Sequence, residues 1–552
     1  MRSPRPIEHL HARLGKWGWT AAAVLLLLRL AWLRGLPVNS DEPQHLHVVW
    51  AWTQGLLPYR DVFDNHTPLF HFLFAPVLML VGESSGVLTW MRLAMVPLGL
   101  AILWCTWRIG VALWGRRTGL WAAALTALFP TFFLLSGQFR TDVLWAAAWL
   151  AAWAAALAGR WTNWRAFATG VLVGAAFSVS LKTSLLMAGA ALGFVIWLLA
   201  RARRVTREDV VACLAPSGIF LLGVAVLPAI IAIFFAANGA LDDLWYGIVQ
   251  HNLVPGLGRV AHEKQRLLLL PVALLVAYWL ARRSLRHARD ARASLRALLL
   301  LCGAGYAILL YTFWPLITRQ DLLPVQPLAA LGLVALLTMR RTRSRWPGRV
   351  LALALVLEFC VLLVQMPPWR HPDVAFRDEL RTLLALTRDD DYVMDAKGST
   401  IFRQRPWYYA LEGITDTRLR LGLIVDDLPQ RLAQTDTKVL VFDRLKGTDL
   451  DYAKANYLLV HGRIGVAGKQ FEGLKAGQRV NFTLDIAARY TVVSRDGSIG
   501  DVRLDGTRYV LPLALAAGAH TLVVKDPGDY ALVWSTAVDQ GYSPYAEPDE
   551  ER

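Results

Sequence analysis

Cysteine is scarce in this chain of 552 residues. Its four cysteines, Cys105, Cys213, Cys302 and Cys360, lie in or beside apolar runs and share no metal-like spacing. The C-terminal part has none, so neither a disulfide framework nor a cysteine-built metal site is expected. No Walker or Rossmann glycine loop occurs, which leaves cytosolic nucleotide chemistry without support. No Ser/His/Asp arrangement and no HExxH pattern stands out. Internal repeats and paired broken helices, which a secondary transporter would carry, are also missing. Acidic residues are outnumbered: 42 Asp and Glu face 58 Lys and Arg, for a net charge of +16. That excess does not read as nucleic-acid binding, because the arginines cluster in short loops between apolar runs. Membrane insertion produces that pattern.

Apolar sequence is abundant. The chain is 55% hydrophobic, with 23 Trp and a mean hydropathy of +0.38. Runs of about 17–25 residues predict membrane spans at about 17–36, 89–113, 118–136, 141–158, 165–181, 183–200, 213–236, 266–281, 297–317, 322–339 and 347–366. The fold class expected is a polytopic α-helical membrane protein of about eleven spans. The run Leu69–Val81 is too short to cross comfortably and is expected as an interfacial or re-entrant helix. The basic segment before residue 17 precedes a run too long for a signal-peptide core, so that run reads as the first membrane helix. With the N-terminus cytoplasmic, every strongly basic short loop falls on one side. The loops near Asp41, Arg140, Lys182, Asp242 and Arg319, and everything after residue 368, then lie on the other.

Composition changes after Pro367-Pro368. Residues 369–470 read as an extracytoplasmic α/β domain, with an amphipathic helix at Arg377–Thr387, a buried strand at Lys438–Phe442 and a helix at Leu450–Leu459. Residues 471–552 read as a small β-sandwich-like domain and tail, with strands at Val480–Ile486, Tyr490–Ser494, Asp501–Leu504 and His520–Lys525. Residues 1–368 form the transmembrane part, with a first extracytoplasmic loop at 37–88.

That loop carries the densest chemistry. Asn39-Ser-Asp-Glu-Pro-Gln-His-Leu-His47 is followed by Pro58-Tyr-Arg-Asp-Val-Phe-Asp-Asn-His-Thr-Pro68. Trp50, Trp52, Tyr59 and Phe63 interleave with the charges, as an ordered loop at a membrane surface would require. Asp41 and Glu42 are candidate acid–base groups, since a carboxylate beside a membrane can take a proton from an acceptor hydroxyl or amine. They also fit the start of a helix, with Pro43 in its first turn. Asp142 is a further candidate acid. His66 can bind a phosphate or a metal, or hydrogen-bond within the loop. Arg140 and Arg319 suit a phosphate by charge-assisted bonds. Lys182 can neutralise a lipid phosphate or snorkel to headgroups. His45 and His47, two apart, suit a metal pair on a strand or loop better than on a helix. Tyr59, Arg60, Trp245, Tyr246, His251 and Asn252 are expected to handle an acceptor or to line a lid within Asn238–Gln265. Trp407, Tyr408 and Tyr409 are candidates for glycan contact or for bracing the loops.

The order and common side of these motifs resemble the GT-C membrane glycosyltransferases, in particular the protein O-mannosyltransferases and the bacterial lipid A aminoarabinose transferases. The resemblance rests on Asp41-Glu42 after the first helix, Gly55 with Pro58-Tyr59, Asp64-Asn-His-Thr-Pro-Leu69, Arg140-Thr-Asp142, Lys182 and Leu322-Leu-Pro-Val-Gln-Pro327. It implies a polyprenyl-phosphate sugar donor and inverting transfer outside the cytoplasm; the Arg/Ala/Leu-rich style reads as bacterial, so the expectation is transfer to an acceptor lipid, glycan or protein on the periplasmic face of an inner membrane. The resemblance makes Asp41 the base, with Glu42 orienting the acceptor or sharing the proton. Where family members often carry a phosphate-binding Lys before the prolines, this chain has His66-Thr67-Pro68, and Arg140, Lys182 or Arg319 can supply the missing charge. No cofactor is strictly required, with a divalent metal left as an open alternative. A lipid or glycan flippase, or a non-catalytic envelope-assembly protein with a periplasmic binding domain, is the rival reading.

Overall fold

The computed structural model describes residues 27, 29–200, 207–255, 271, 275, 278, 279, 281, 282, 286, 291–314, 317–338, 346–497 and 501–546. Most of the spans expected at 17–36 and 266–281, the end of the Asn238–Gln265 segment, several basic loops and the 547–552 tail lie outside the described residues. The described chain divides into two compact units. The first comprises Met1–Val38, Thr89–Ala229 and Arg259–Val374, and the second Asn39–Leu88, Ile230–Gly258 and Ala375–Arg552.

In the first unit the apolar runs are helices, close to where the sequence places them: Arg116–Leu128, Pro130–Leu135, Thr141–Ala156, Asn163–Val179, Thr183–Leu199, Ala291–Phe313, Gln326–Thr338 and Trp346–Gln365. Val87–Leu113 and Arg207–Ala237 are helices that run across a unit boundary. Among the described residues four helical stretches are long and apolar enough to cross a membrane: Val87–Leu113, Leu214–Ala237, Ala291–Phe313 and Gly348–Gln365. The run expected as one span at 118–136 is two helices. Phe129 is extended (φ −60°, ψ 125°) because Pro130 disfavours the helical region for its predecessor, and Pro130 then opens the second helix.

Close helix approach in this unit depends on small residues. A Cβ on Gly193 would lie 2.5 Å from the backbone nitrogen of Cys302, and one on Gly189 would collide with the backbone of Tyr306. Helices Thr183–Leu199 and Ala291–Phe313 therefore pack backbone to backbone, as glycine allows in an apolar medium that gives helices no hydrophobic reason to associate. Arg92 is buried and donates to the carbonyls of Leu33 (2.8 Å), Leu36 (3.0 Å) and Pro37 (3.1 Å). It thereby satisfies backbone acceptors left open where the first helix ends.

The second unit joins the first-loop segment, residues 230–258 and the C-terminal region. It holds eleven described strands: β1 (Val393–Met394), β2 (Val439–Val441), β3 (Tyr457–His461), β4 (Ile464–Leu474), β5 (Arg479–Leu484), β6 (Ala488–Ser494), β7 (Val502–Leu504), β8 (Thr507–Arg508), β9 (Leu513–Leu515), β10 (Gly518–Val524) and β11 (Gly528–Trp534). Seven form one sheet in the order β1-β2-β4-β11-β6-β9, with β3 also on β4. β5-β10-β7-β8 form a second sheet. Only β1 with β2 is parallel among these named pairs. The domain boundary expected at residue 470 falls inside β4. The first residues of β4 pair with β2 and β3, and the rest pair with β11. One eleven-residue strand thus carries a continuous sheet through both expected domains. The amphipathic helix Val374–Leu386 buries Leu380, Leu383 and Leu386.

Candidate active site

The first-loop stretch opens as a helix, Asp41–Thr53. Asn39 starts it: its side-chain oxygen accepts the Asp41 N–H at 2.9 Å, and the Glu42 carboxylate reaches back to the Asn39 N–H at 3.1 Å. This is the reciprocal arrangement that satisfies open donors at a helix start. Glu42 is buried. Asp41, one residue earlier, keeps a quarter of its side chain exposed and pairs through Oδ1 with the Lys397 ammonium.

Lys397 comes from a turn more than 350 residues away in sequence. Asp395 builds that turn by accepting the N–H groups of Gly398 (2.5 Å) and Thr400 (2.7 Å), and it pairs with Arg405 at 3.1 Å. Gly398 takes φ +83° and Ile401 φ +51°. The Ile401 carbonyl faces His47 Nδ1 at 2.8 Å, which fastens the turn to the first-loop helix. Lys397 Nζ also lies 3.5 Å from Glu412 Oε2, so one ammonium serves two carboxylates. Glu412 Oε1 accepts from Asn65 Nδ2 at 2.7 Å. Burial raises the Glu412 carboxyl above its usual range, with Lys397 and then His66 opposing the shift.

His66 is the half-exposed edge of a buried imidazole–carboxylate chain. Its Nδ1 lies 3.1 Å from Asp64 Oδ1, and Asp64 Oδ2 lies 3.2 Å from His71 Nδ1. His71 Nε2 lies 3.0 Å from His45 Nδ1. His45 and His47 thus sit on a helix, not on a strand or loop, and turn to different partners: His71 and the Ile401 carbonyl. Among the described residues no group of three or more His, Cys, Asp or Glu is arranged to hold a metal ion.

The expected acceptor and lid residues have varied surroundings. Tyr59 is buried at φ +72°, and its hydroxyl donates to the His66 carbonyl at 2.5 Å. Arg60 is exposed and pairs with Asp61 at 2.9 Å, holding that carboxyl below its usual range. Trp245 is exposed. Asn252 donates to the carbonyls of Asn65 (2.9 Å) and Ile248 (3.1 Å). His251 is buried, stacked near Tyr409 and edge-on to Phe63, and burial with help from Arg418 pushes its pKa down to about 3. The three aromatics at 407–409 act as braces. The Trp407 indole donates to Asp427 at 3.0 Å, the Tyr408 hydroxyl donates to the Tyr59 carbonyl, and the Tyr409 hydroxyl lies 3.2 Å from that of Tyr246.

The first unit gathers the other candidates. Arg140 and Asp142 are both buried and pair at 3.0 Å at the start of helix Thr141–Ala156. Lys182, between helices Asn163–Val179 and Thr183–Leu199, pairs with buried Asp321 and lies within electrostatic range of Asp142 and Arg140. The other Asp321 oxygen accepts from the Thr318 N–H (2.7 Å) and hydroxyl (2.9 Å). Tyr306 donates to the Asp321 carbonyl at 2.6 Å. Arg319 is exposed, so in the segment 318–327 Asp321 is the residue that enters the cluster. Sequence reasoning passed over Asp321 as a site residue, and it passed over Lys397 and Glu412 altogether. A lone Lys in a turn such as Asp395-Ala-Lys-Gly-Ser-Thr400 carries no local signal beyond the turn itself.

The described residues thus hold a unit of apolar helices, some long enough to cross a membrane, and a unit that carries a carboxylate–ammonium site. No protein-family model matches the chain, and no curated protein matches it. Among solved structures, its fold is similar to that of ArnT from Cupriavidus metallidurans in the apo state, at 14% identity and a TM-score of 0.56, over 82% of this chain and 97% of that one. It is equally similar to the same protein bound to undecaprenyl phosphate, at 14% identity and a TM-score of 0.55, over 82% and 98%.

Proposed function

We propose that this chain is a membrane glycosyltransferase that moves a sugar from a polyprenyl-phosphate donor to an acceptor lipid, glycan or protein. The observation that carries the proposal is an ion-paired, partly exposed carboxylate, Asp41, in a chain whose fold is similar to one solved with undecaprenyl phosphate. Asp41 is the base. It takes the acceptor proton as the acceptor oxygen or nitrogen bonds to the anomeric carbon. The glycosidic C–O bond breaks on the opposite face, its electron pair stays on the phosphate oxygen, and the configuration inverts. Positioned cations offset the charge that grows on the leaving phosphate, and Arg140, Lys182, Arg319 and His66 are assigned that role. Glu42 orients the acceptor or shares its proton, and Asp142 is the further candidate acid. Tyr59, Arg60, Trp245, Tyr246, His251 and Asn252 form the acceptor side. The protein works in the bacterial inner membrane, with the C-terminal unit in the periplasm.

The test is sugar release from a radiolabelled polyprenyl-phosphate-sugar panel by purified full-length protein, with membrane extract as the acceptor source. Wild type is expected to consume at least one donor. Asp41→Asn is expected to lower turnover by about 10²–10⁴-fold. Equal turnover by wild type and Asp41→Asn would remove Asp41 as the base.

A further inference from the structure

In the second unit two carboxylates share one ammonium. Lys397 is only 11% exposed, yet it meets two carboxylates, Asp41 through Oδ1 and Glu412 at 3.5 Å. Its turn is fixed at four points: Asp395 on the backbone of Gly398 and of Thr400, Arg405 on Asp395, and His47 on the Ile401 carbonyl. Such bracing has a cost, because a β-branched residue at φ +51° is disfavoured. A surface lysine with a chance partner needs none of it.

We infer that Lys397, supplied by the C-terminal region, is the positioning residue for Asp41: it holds Oδ1, sets the direction of the carboxylate and keeps it ionised. The inference deepens the transferase reading and rests on it. Lys397 acts through Asp41 and does not itself touch donor or acceptor. Charged groups near Asp41 include Lys397 and Glu412, and Glu412 in turn feels Lys397, His66 and Asp41. Glu42 is turned back to the Asn39 N–H. Removal of the ammonium takes away the cation that favours the ionised form of Asp41 and leaves Glu412 as its neighbour, so Asp41 keeps its proton to higher pH. A base that must be ionised then works only at higher pH. Asn65 donates to Glu412 Oε1 at 2.7 Å and holds the second carboxylate.

The experiment uses the full-length protein in lipid nanodiscs, with wild type, Lys397→Met, Lys397→Arg, and Lys446→Met as a surface control. Lys446 pairs only at the exposed surface with Asp416. Two quantities are followed across pH: kcat and donor KM for sugar transfer, and labelling of Asp41 by a carbodiimide with glycine ethyl ester, read by mass spectrometry. The reagent reacts with the protonated carboxyl, so the second readout does not depend on turnover. For Lys397→Met, kcat is expected to fall by about 10–100-fold. The acid limb should move up by about one pH unit or more, with donor KM within about twofold because the group lost is not a donor ligand. Asp41 labelling should move up in pH with it, and Lys397→Arg should recover most of both. Loss through donor KM alone, or an acid limb and a labelling profile that stay where they are in wild type, would overturn the inference. If wild type consumes no donor, the transferase reading falls. The labelling profile then decides the role of Lys397 by itself, an unchanged profile again overturning it. Size-exclusion profiles and melting curves of Lys397→Arg keep the comparison among folded proteins.

Discussion

Gly398→Ala tests the joint between the first-loop helix and the C-terminal region. A Cβ at this position would stand 2.8 Å from His47 Cβ, 3.2 Å from His47 Cγ and 3.4 Å from Gln44 Cα. Gln44 contributes backbone, and the His47 ring is tied to the Ile401 carbonyl, so neither neighbour gives way easily. The residue also has φ +83°. Left-handed backbone costs a non-glycine residue about 1–2 kcal/mol, and overpacking about 1–3 kcal/mol. Loss of glycine freedom in the unfolded chain returns about 0.4–1 kcal/mol. The net is about 1–4.6 kcal/mol against the docked turn, which multiplies the undocked population on the order of five- to two-thousand-fold. Hydrogen exchange should rise at residues 395–405 while β5 and β10 stay protected, and sugar transfer should fall with it. Gly473→Ala provides the comparison: Gly473 also has a positive φ, but no atom lies within 4 Å of its Cβ position, so only backbone strain of about 1–2 kcal/mol applies. Unchanged exchange at 395–405 in Gly398→Ala, with wild-type activity, would refute the reasoning.

In the first unit, Lys182→Met strands the buried Asp321 carboxylate and is expected to cost about 3–5 kcal/mol in thermal or denaturant unfolding. The double variant Lys182→Met/Asp321→Leu should regain most of that stability and none of the activity. His251, with its pKa pushed down to about 3, is expected to stay neutral at pH 5 by NMR. Its unfolded form takes a proton near pH 6.5, so between about pH 6.5 and 3 the unfolded state binds more protons and stability falls with acid. His251→Phe should flatten that part of the stability curve.

Much of the secondary structure was legible in the sequence. Spans expected at 141–158, 183–200 and 347–366 are helices Thr141–Ala156, Thr183–Leu199 and Trp346–Gln365, because the length and composition of an apolar run are local properties. Leu69–Val81 is a helix with the expected ends. The patterns at 480–486, 490–494 and 501–504 are strands. The break at Phe129-Pro130 had a local cue in the proline, which the longer hydropathy run obscured. β4 was missed because it is buried along one half and mixed along the other, so neither a continuous apolar run nor clean alternation marks its full length.

Residue pattern was enough to expect apolar helices over about two thirds of the chain, an α/β segment and a β-rich segment after them, and acid–base chemistry at Asp41. Those follow from composition, period and charge, which act over a few residues. Three features come from the folded chain: Lys397 and Glu412 join Asp41, Asp321 and not Arg319 meets Lys182, and one strand serves both halves of a seven-stranded sheet. Each is a pairing across long separations. A buried charge must find an opposite one and a buried strand must fill its hydrogen bonds, but the identity of the partner depends on which segments the fold brings together.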